Sequence, residues 1–333
     1  MGEGYAGSDF SGPCESERDS PELGLREEDT MRVFVAGATG VLGTAAVRQL
    51  VAGGHNVTGI ARSRAKRDAL AAAGAHPAQA DLFDPASLRD ALAGHDVVVN
   101  LATRIPAPMA AMRAKSWREN DRIRAEASRN LAEAAAAQGV LRLVQEAISY
   151  VYEDGGSEWI TERHPVRPNA FSASSVTATE NAMNFADAYR FAVVLRFGLV
   201  YGDEPTTRWQ LDRVRRGKPA VMGEPEGYLS PITVEDAAHA VLASLAAPSG
   251  IYNVSGPPLT RAEWAAALGA AAGAGGQARF FPPVLTRFMG RRVEPFLRSQ
   301  RISSDAFHNA TGWRAKTAVA QGLAGARDAV SVR

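Results

Sequence analysis

A single cysteine, Cys14, among 333 residues has nothing to pair with inside one molecule, which excludes a disulfide framework and any cysteine-built metal cluster. The six histidines lack the short spacings of a zinc site, so no metal is expected. Excess charge is missing too. With 37 Lys and Arg against 36 Asp and Glu, the net charge of +1 offers nothing to nucleic acid or an anionic membrane, and neither is expected as a partner. No apolar run reaches membrane-spanning length, and the first residues lack the basic-then-apolar order of a signal peptide. The expected location is therefore the cytoplasm.

What is present is apolar material for a large core, at 46% of the chain, in one elaborated domain or in two. Residues 1 to 30 stand apart. Nine acids, from Glu3 to Asp29, are set among Gly, Ser and Pro with hardly an apolar residue, so burial cannot offset the entropy of ordering. The segment reads as a disordered acidic tail. Because Met31 opens the first strand directly, an upstream extension of a protein whose natural start is Met31 is one reading of it. Cys14 is then a free thiol without a role.

The stretch Met31-Arg-Val-Phe-Val-Ala-Gly-Ala-Thr-Gly-Val-Leu-Gly43 passes from an apolar strand through three glycines into a helical pattern carried by Leu42, Ala45, Val47, Leu50 and Val51. This is the layout of a dinucleotide-binding turn. Gly37 permits the turn, Gly40 admits a pyrophosphate close to the backbone, and Gly43 lets the helix sit close on the sheet. The phosphates would rest on the helix N-terminus, around Thr39, Val41 and Leu42. Strand and helix then alternate, with a third short strand ending at Ala80-Asp81-Leu82 and a sixth running from Ala192 to Gly202, which predicts a doubly wound parallel α/β sheet. The expected boundaries are a dinucleotide-binding domain over 31–204 and a mainly substrate-binding region over 205–333.

A second strand, His55 to Ala61, ends in Arg62-Ser-Arg64. In dinucleotide folds a carboxylate at this end binds the 2′-hydroxyl of NAD, and an arginine accommodates the 2′-phosphate of NADP. Here there is Arg62 and no acid, which favours NADP over NAD, because a guanidinium forks onto phosphate. The bland alternative makes Arg62, Arg64 and Lys66 a solvated helix face.

The spacing G-x-x-G-x-x-G, with Ala36 before it and Thr39 inside it, resembles the short-chain dehydrogenase/reductase superfamily, particularly its extended branch of NAD(P)-dependent epimerases and dehydratases. Later landmarks fit in order: Asp81-Leu82, Asn100-Leu101-Ala102-Thr103, Asn120, Asn130-Leu131, Leu195-Arg196 through Tyr201-Gly202, Ser230 to Ala238, Gly250 to Ser255, and Thr311-Gly-Trp313. The resemblance implies that Asp81 and Leu82 bracket the adenine. It also implies that Leu101, Ala102 and Thr103 lie beneath the nicotinamide ribose. The partner would be a small molecule, and a homodimer is an open assembly state.

One part of the resemblance is broken. The family's Tyr-x-x-x-Lys pair, in which the lysine tunes the tyrosine as proton donor or acceptor, falls here on Phe171 and Ser175, and the orienting serine falls on Ile148. Four substitutes suggest themselves. Glu146 is an acid near the end of a buried strand, either an acid/base group or a hydrogen-bond anchor for the loop from Glu153 to Arg163. Ser149 adjoins the orienting position, and Tyr150 and Tyr152 carry phenols that serve equally as pocket wall. Thr103 and Arg104 are candidates for substrate contact. Arg298 and Arg301 stand where related sugar-nucleotide enzymes keep a phosphate-binding arginine, with internal charge pairing as the alternative. The reading is an NADP(H)-binding enzyme performing reduction, epimerisation or dehydration with non-standard acid/base residues. A silent NADP-binding sensor and a non-redox isomerase or cyclase remain as alternatives.

Overall fold

A computed structural model describes residues 30–111, 113–289 and 293–331. The acidic tail and Cys14 lie outside the described residues, apart from Thr30. The first half alternates β1 (Arg32–Ala36), α1 (Val41–Ala52), β2 (Asn56–Ile60), α2 (Arg64–Ala72), β3 (His76–Ala78), α3 (Pro85–Leu92) and β4 (Val97–Asn100). After α4 (Pro108–Ala111), a long helix is built from α5 (Arg118–Arg122), a π turn (Ile123–Ala127) and α6 (Ser128–Ala137). It leads to β5 (Arg142–Ile148), the short β6 (Trp159–Ile160), α7 (Ala173–Met183) and β7 (Phe191–Phe197). The remainder comprises β8 (Leu199–Tyr201), α8 (Pro205–Arg215), β9 (Tyr228–Leu229), β10 (Pro231–Thr233), α9 (Val234–Ala243) and β11 (Gly250–Val254). Last come β12 (Leu259–Thr260), α10 (Arg261–Ala272), α11 (Pro283–Met289), α12 (Glu294–Leu297), β13 (Arg301–Ile302), α13 (Asp305–Thr311) and α14 (Val319–Ser331).

Seven strands form one sheet in the order β11-β7-β5-β4-β1-β2-β3, with every pairing parallel. Strands buried on both faces need apolar residues in both registers, which is why Val97, Val98 and Val99 run consecutively. One core layer joins Val33, Val35, Val99 and Val144 to α1 and α9; the other joins Phe34, Val98, Leu143 and Ala147 to α3, α6 and α7. This is the expected doubly wound sheet. The strand order reverses between β1 and β4, and in such sheets the ligand crevice opens there, outside the carboxyl ends.

Three details differ from the sequence expectation. β3 stops at Ala78 rather than running to Leu82; Pro77 is tolerated because this is the sheet's edge, and Asp81 already belongs to a turn whose Oδ1 accepts from the Phe83 amide at 2.9 Å. The apolar run from Ala192 to Gly202 divides at Gly198, where a side chain would meet the Ser230 carbonyl, and β8 pairs with β10 instead. Finally, β11 and α9 lie in the second half by number yet complete the sheet and its α1 layer. A separate cluster of Tyr201, Leu211, Val214, Trp264, Leu268 and Leu323 holds α8, α10 and α14 together.

Candidate active site

β1 ends at Ala36, and Gly37 follows with φ +80°, a conformation that L side chains rarely adopt. A Cβ on Gly37 would lie 2.6 Å from the Ala102 amide nitrogen, and one on Gly43 would lie 2.0 Å from the Gly37 carbonyl oxygen. The loop thus works only with glycine at both places, and it presses against the Leu101-Ala102 backbone beyond β4. Gly40 donates to the Gly37 carbonyl at 2.9 Å and stands as the N-cap of α1. No side chain caps that helix and no acid occupies its first turn, so its N–H groups are left for an anion. Thr39 is half-buried and Val41 exposed beside them, while Leu42 packs on the core.

The crevice extends both ways from this cradle. On the β2 side, Arg62 is exposed and has no ion-pair partner among the described residues. Ser63 caps α2 by accepting from the Lys66 amide, and Arg64 faces Asp68 at 3.9 Å. The Asp81 amide is held by Ser87 Oγ at 3.2 Å, and the Leu82 carbonyl accepts from Asn130 at 3.2 Å, which fixes the turn beyond β3. On the β4 side, Asn100 donates to Gln145 at 2.8 Å and accepts from the Ala102 amide at 3.2 Å, with the half-buried Thr103 just beyond. The residues singled out for the cofactor therefore line one continuous edge across β3, β2, β1 and β4.

At the β5 end the candidates separate. Phe171 lies just before α7, buried, with its ring 5.0 Å from that of Trp117. Ser175 is buried and its Oγ accepts from the Ile148 amide at 3.3 Å. Ser149 donates to Gln300 Oε1 at 3.0 Å while Gln300 Nε2 donates back to the Ser149 carbonyl at 3.0 Å, so the hydroxyl is already engaged. Tyr150 packs against Phe296 at 5.1 Å, and burial pushes its phenol up to about 12. Tyr152, fully buried, accepts from Arg196 and donates to Asn253, both at 2.8 Å, as an internal tie.

Glu146 is only 8% exposed, and Arg124 Nη2 from the π turn donates to both its oxygens, at 2.6 and 2.8 Å. Burial raises the carboxyl above the ordinary range, and Arg124 counteracts this in part. Arg124 was invisible to motif reading, although its spacing to Ala127 and Leu131 puts an arginine on a helix's buried stripe, which was a legible signal. The arginines near the C-terminus turn inward. Arg298 is clamped by Glu294, and Arg301 lies between the rings of Trp159, at 4.3 Å, and Tyr228, at 5.1 Å. Arg104 is exposed, 3.7 Å from Glu119.

Among the described residues, no helix is long and apolar enough to cross a membrane, and no cluster of three His, Cys, Asp or Glu could hold a metal ion. The profile of the NAD dependent epimerase/dehydratase family matches residues 33–255. The 3-diazoavenalumate denitrifying reductase of a Streptomyces species is 30% identical over 302 residues, covering 85% of this chain and 96% of the relative. A 2-alkyl-3-oxoalkanoate reductase of Shewanella oneidensis is 29% identical over 245 residues, 68% of this chain and 60% of that one. In fold, the chain is similar to the UDP-glucose 4-epimerase of Thermus thermophilus, solved with NAD, at a TM-score of 0.72 and 23% identity over 90% of this chain and 98% of the other. The family profile and the glycine cradle agree on a nicotinamide dinucleotide as cofactor class, and with the profile over two thirds of its length the chain belongs to the NAD dependent epimerase/dehydratase family.

Proposed function

We propose that this chain is an NADP(H)-dependent reductase of small molecules in which Glu146 exchanges the proton. The observation that carries the cofactor choice is Arg62, exposed and without an ion-pair partner among the described residues just past the end of β2, with no carboxylate between it and Lys66. Gly37, Gly40 and the first turn of α1 would hold the pyrophosphate, Arg62 the 2′-phosphate, and Asp81 and Leu82 the adenine. The bound nicotinamide would supply a hydride. Leu101, Ala102 and Thr103 would floor its ribose, and Glu146 is the carboxyl near the end of β5 whose protonated form burial favours. Reduction is favoured over epimerisation because both sequence relatives above are named reductases.

The test is a fluorescence titration with NADPH and NADH on wild type and Arg62→Ala, followed by NADPH oxidation with 2-alkyl-3-oxoalkanoates and 3-diazo arenes. Wild type is expected to prefer NADPH and the variant to lose that preference. Equal affinities in wild type would sink the NADP assignment. The inward-turned hydroxyls of Ser149 and Ser175 favour a silent NADP-binding sensor as the second reading. Tight binding without turnover of any compound would favour it, and turnover without net absorbance change would favour a non-redox isomerase or cyclase.

A further inference from the structure

Among the described residues, two arginine–glutamate pairs with a buried guanidinium occur near β5, and they are built differently. Arg298 places Nε and Nη2 on the two oxygens of Glu294, each at 2.7 Å, and Nη1 on the carbonyls of Tyr152 and Arg167 at 2.5 and 2.9 Å. Every nitrogen of that guanidinium has an acceptor, as a structural clamp requires. Arg124 uses Nη2 alone for Glu146, and its Nε and Nη1 are buried without an acceptor among the described residues. Its side chain is 3% exposed and that of Glu146 10%. A pair held only for stability would be improved by further acceptors, since each unmet buried donor costs free energy. This one is left incomplete.

Its place is also distinctive. Glu146 lies two residues from the carboxyl end of β5, and the neighbouring strand ends at Asn100, bonded to Gln145. Arg124 reaches it from a π turn, a local widening that interrupts an otherwise regular helix and frequently marks functional positions. We infer that Arg124 is the positioning residue of Glu146, fixing the carboxyl group at the nicotinamide end of the crevice and stabilising the carboxylate left when that group releases its proton. The inference rests on the reading of Glu146 as the proton-exchanging group. In that step the Glu146 O–H bond breaks, the proton forms a bond to the substrate atom that carries the negative charge after hydride addition, and the charge left on Glu146 faces Arg124. A proton from solvent restores the acid.

Other charges near the pair are committed elsewhere. On β7, Arg196 donates to Tyr152 at 2.8 Å; on α5, Asp121 accepts from Ser174 at 2.9 Å, Arg122 bridges Glu126 of the π turn at 2.7 Å, Glu119 faces Arg104 and Arg118 is exposed. On α7, Glu180 is exposed, and β4 carries no charge. Arg124 is the charged group that acts on Glu146.

The experiment uses infrared titration of the cofactor-free protein, with the Glu146 carboxyl band assigned by its loss in Glu146→Gln, beside the pH profile of kcat/KM in the holoenzyme. In Arg124→Met the midpoint is expected to rise by about one pH unit or more, and in Arg124→Lys by less, with the kinetic limb following both. If Arg124→Met does not fold, Arg124→Lys carries the same comparison. A midpoint unmoved in the folded variants overturns the inference alone. A midpoint that moves while the kinetic limb stays overturns the acid/base reading of Glu146, and the inference falls with it.

Discussion

Glu146→Gln keeps the side chain's shape and its access to Arg124 while removing the titratable proton. Turnover is expected to fall by roughly 10²-fold or more with NADPH affinity unchanged, read by steady-state kinetics beside a fluorescence titration. Full turnover in the variant would remove Glu146 from the chemistry and move the search to Tyr150. At this scale the sequence was legible where a residue type clashes with its setting: Glu146, an acid in an apolar strand, stands out, and the fold buries it. It was not legible where the setting itself is made by distant chain. Ser149 looks available in the sequence, yet its partner Gln300 lies 151 residues away, and only the fold brings the two together.

Among the elements, α1 is where local sequence and ligand requirement coincide most closely. An alanine in place of a helical glycine ordinarily stabilises a helix by about 0.5–1 kcal/mol. At Gly43 the added Cβ would fall on the Gly37 carbonyl, which is backbone and cannot swing aside. Gly43→Ala should therefore open the loop and weaken NADPH binding by at least about tenfold, on the order of 1.4 kcal/mol. Wild-type affinity in a titration would show that the cradle tolerates the shift and is not the phosphate site. At the opposite end of the same strand, Asp96 accepts from the Arg32 backbone amide at 2.8 Å and from its guanidinium at 2.7 Å, tying β1 to the start of β4. The Arg32 guanidinium holds this carboxyl below the ordinary value of 3.8. Between the folded and unfolded values the native state thus binds fewer protons, so the stabilisation is complete above the unfolded value and is lost as pH falls through the folded one. Asp96→Asn should lower the melting temperature at neutral pH, and the two melting curves should converge in acid. A gap that persists undiminished below the folded value would mean that the tie acts through packing instead. Strand limits were harder to read than strand existence. Nothing within Ala192 to Gly202 shows that Gly198 must admit the Ser230 carbonyl, so the run looked like one strand.

For the molecule as a whole, the alternation of periods was enough to read a doubly wound sheet, because strands buried on both faces and helices with one apolar stripe leave few other ways to close a core. The division of labour was less legible. By position, β11 and α9 fall in the second half, but they finish the dinucleotide-binding sheet, since burying the outer edge of β7 and the face of α1 requires later chain to return. The segment before Met31 has the opposite character. Its composition supplies almost no apolar surface to bury. Deleting residues 1–30 should accordingly leave melting temperature and NADPH affinity nearly unchanged, as measured by calorimetry and fluorescence titration. A fall of several degrees, on the order of 1 kcal/mol or more in a chain of this size, would show that the acidic segment docks on the folded body. A change in cofactor affinity without a change in melting temperature would place that contact at the crevice itself, where the exposed Arg62 is a cation without an ion-pair partner among the described residues for it to meet.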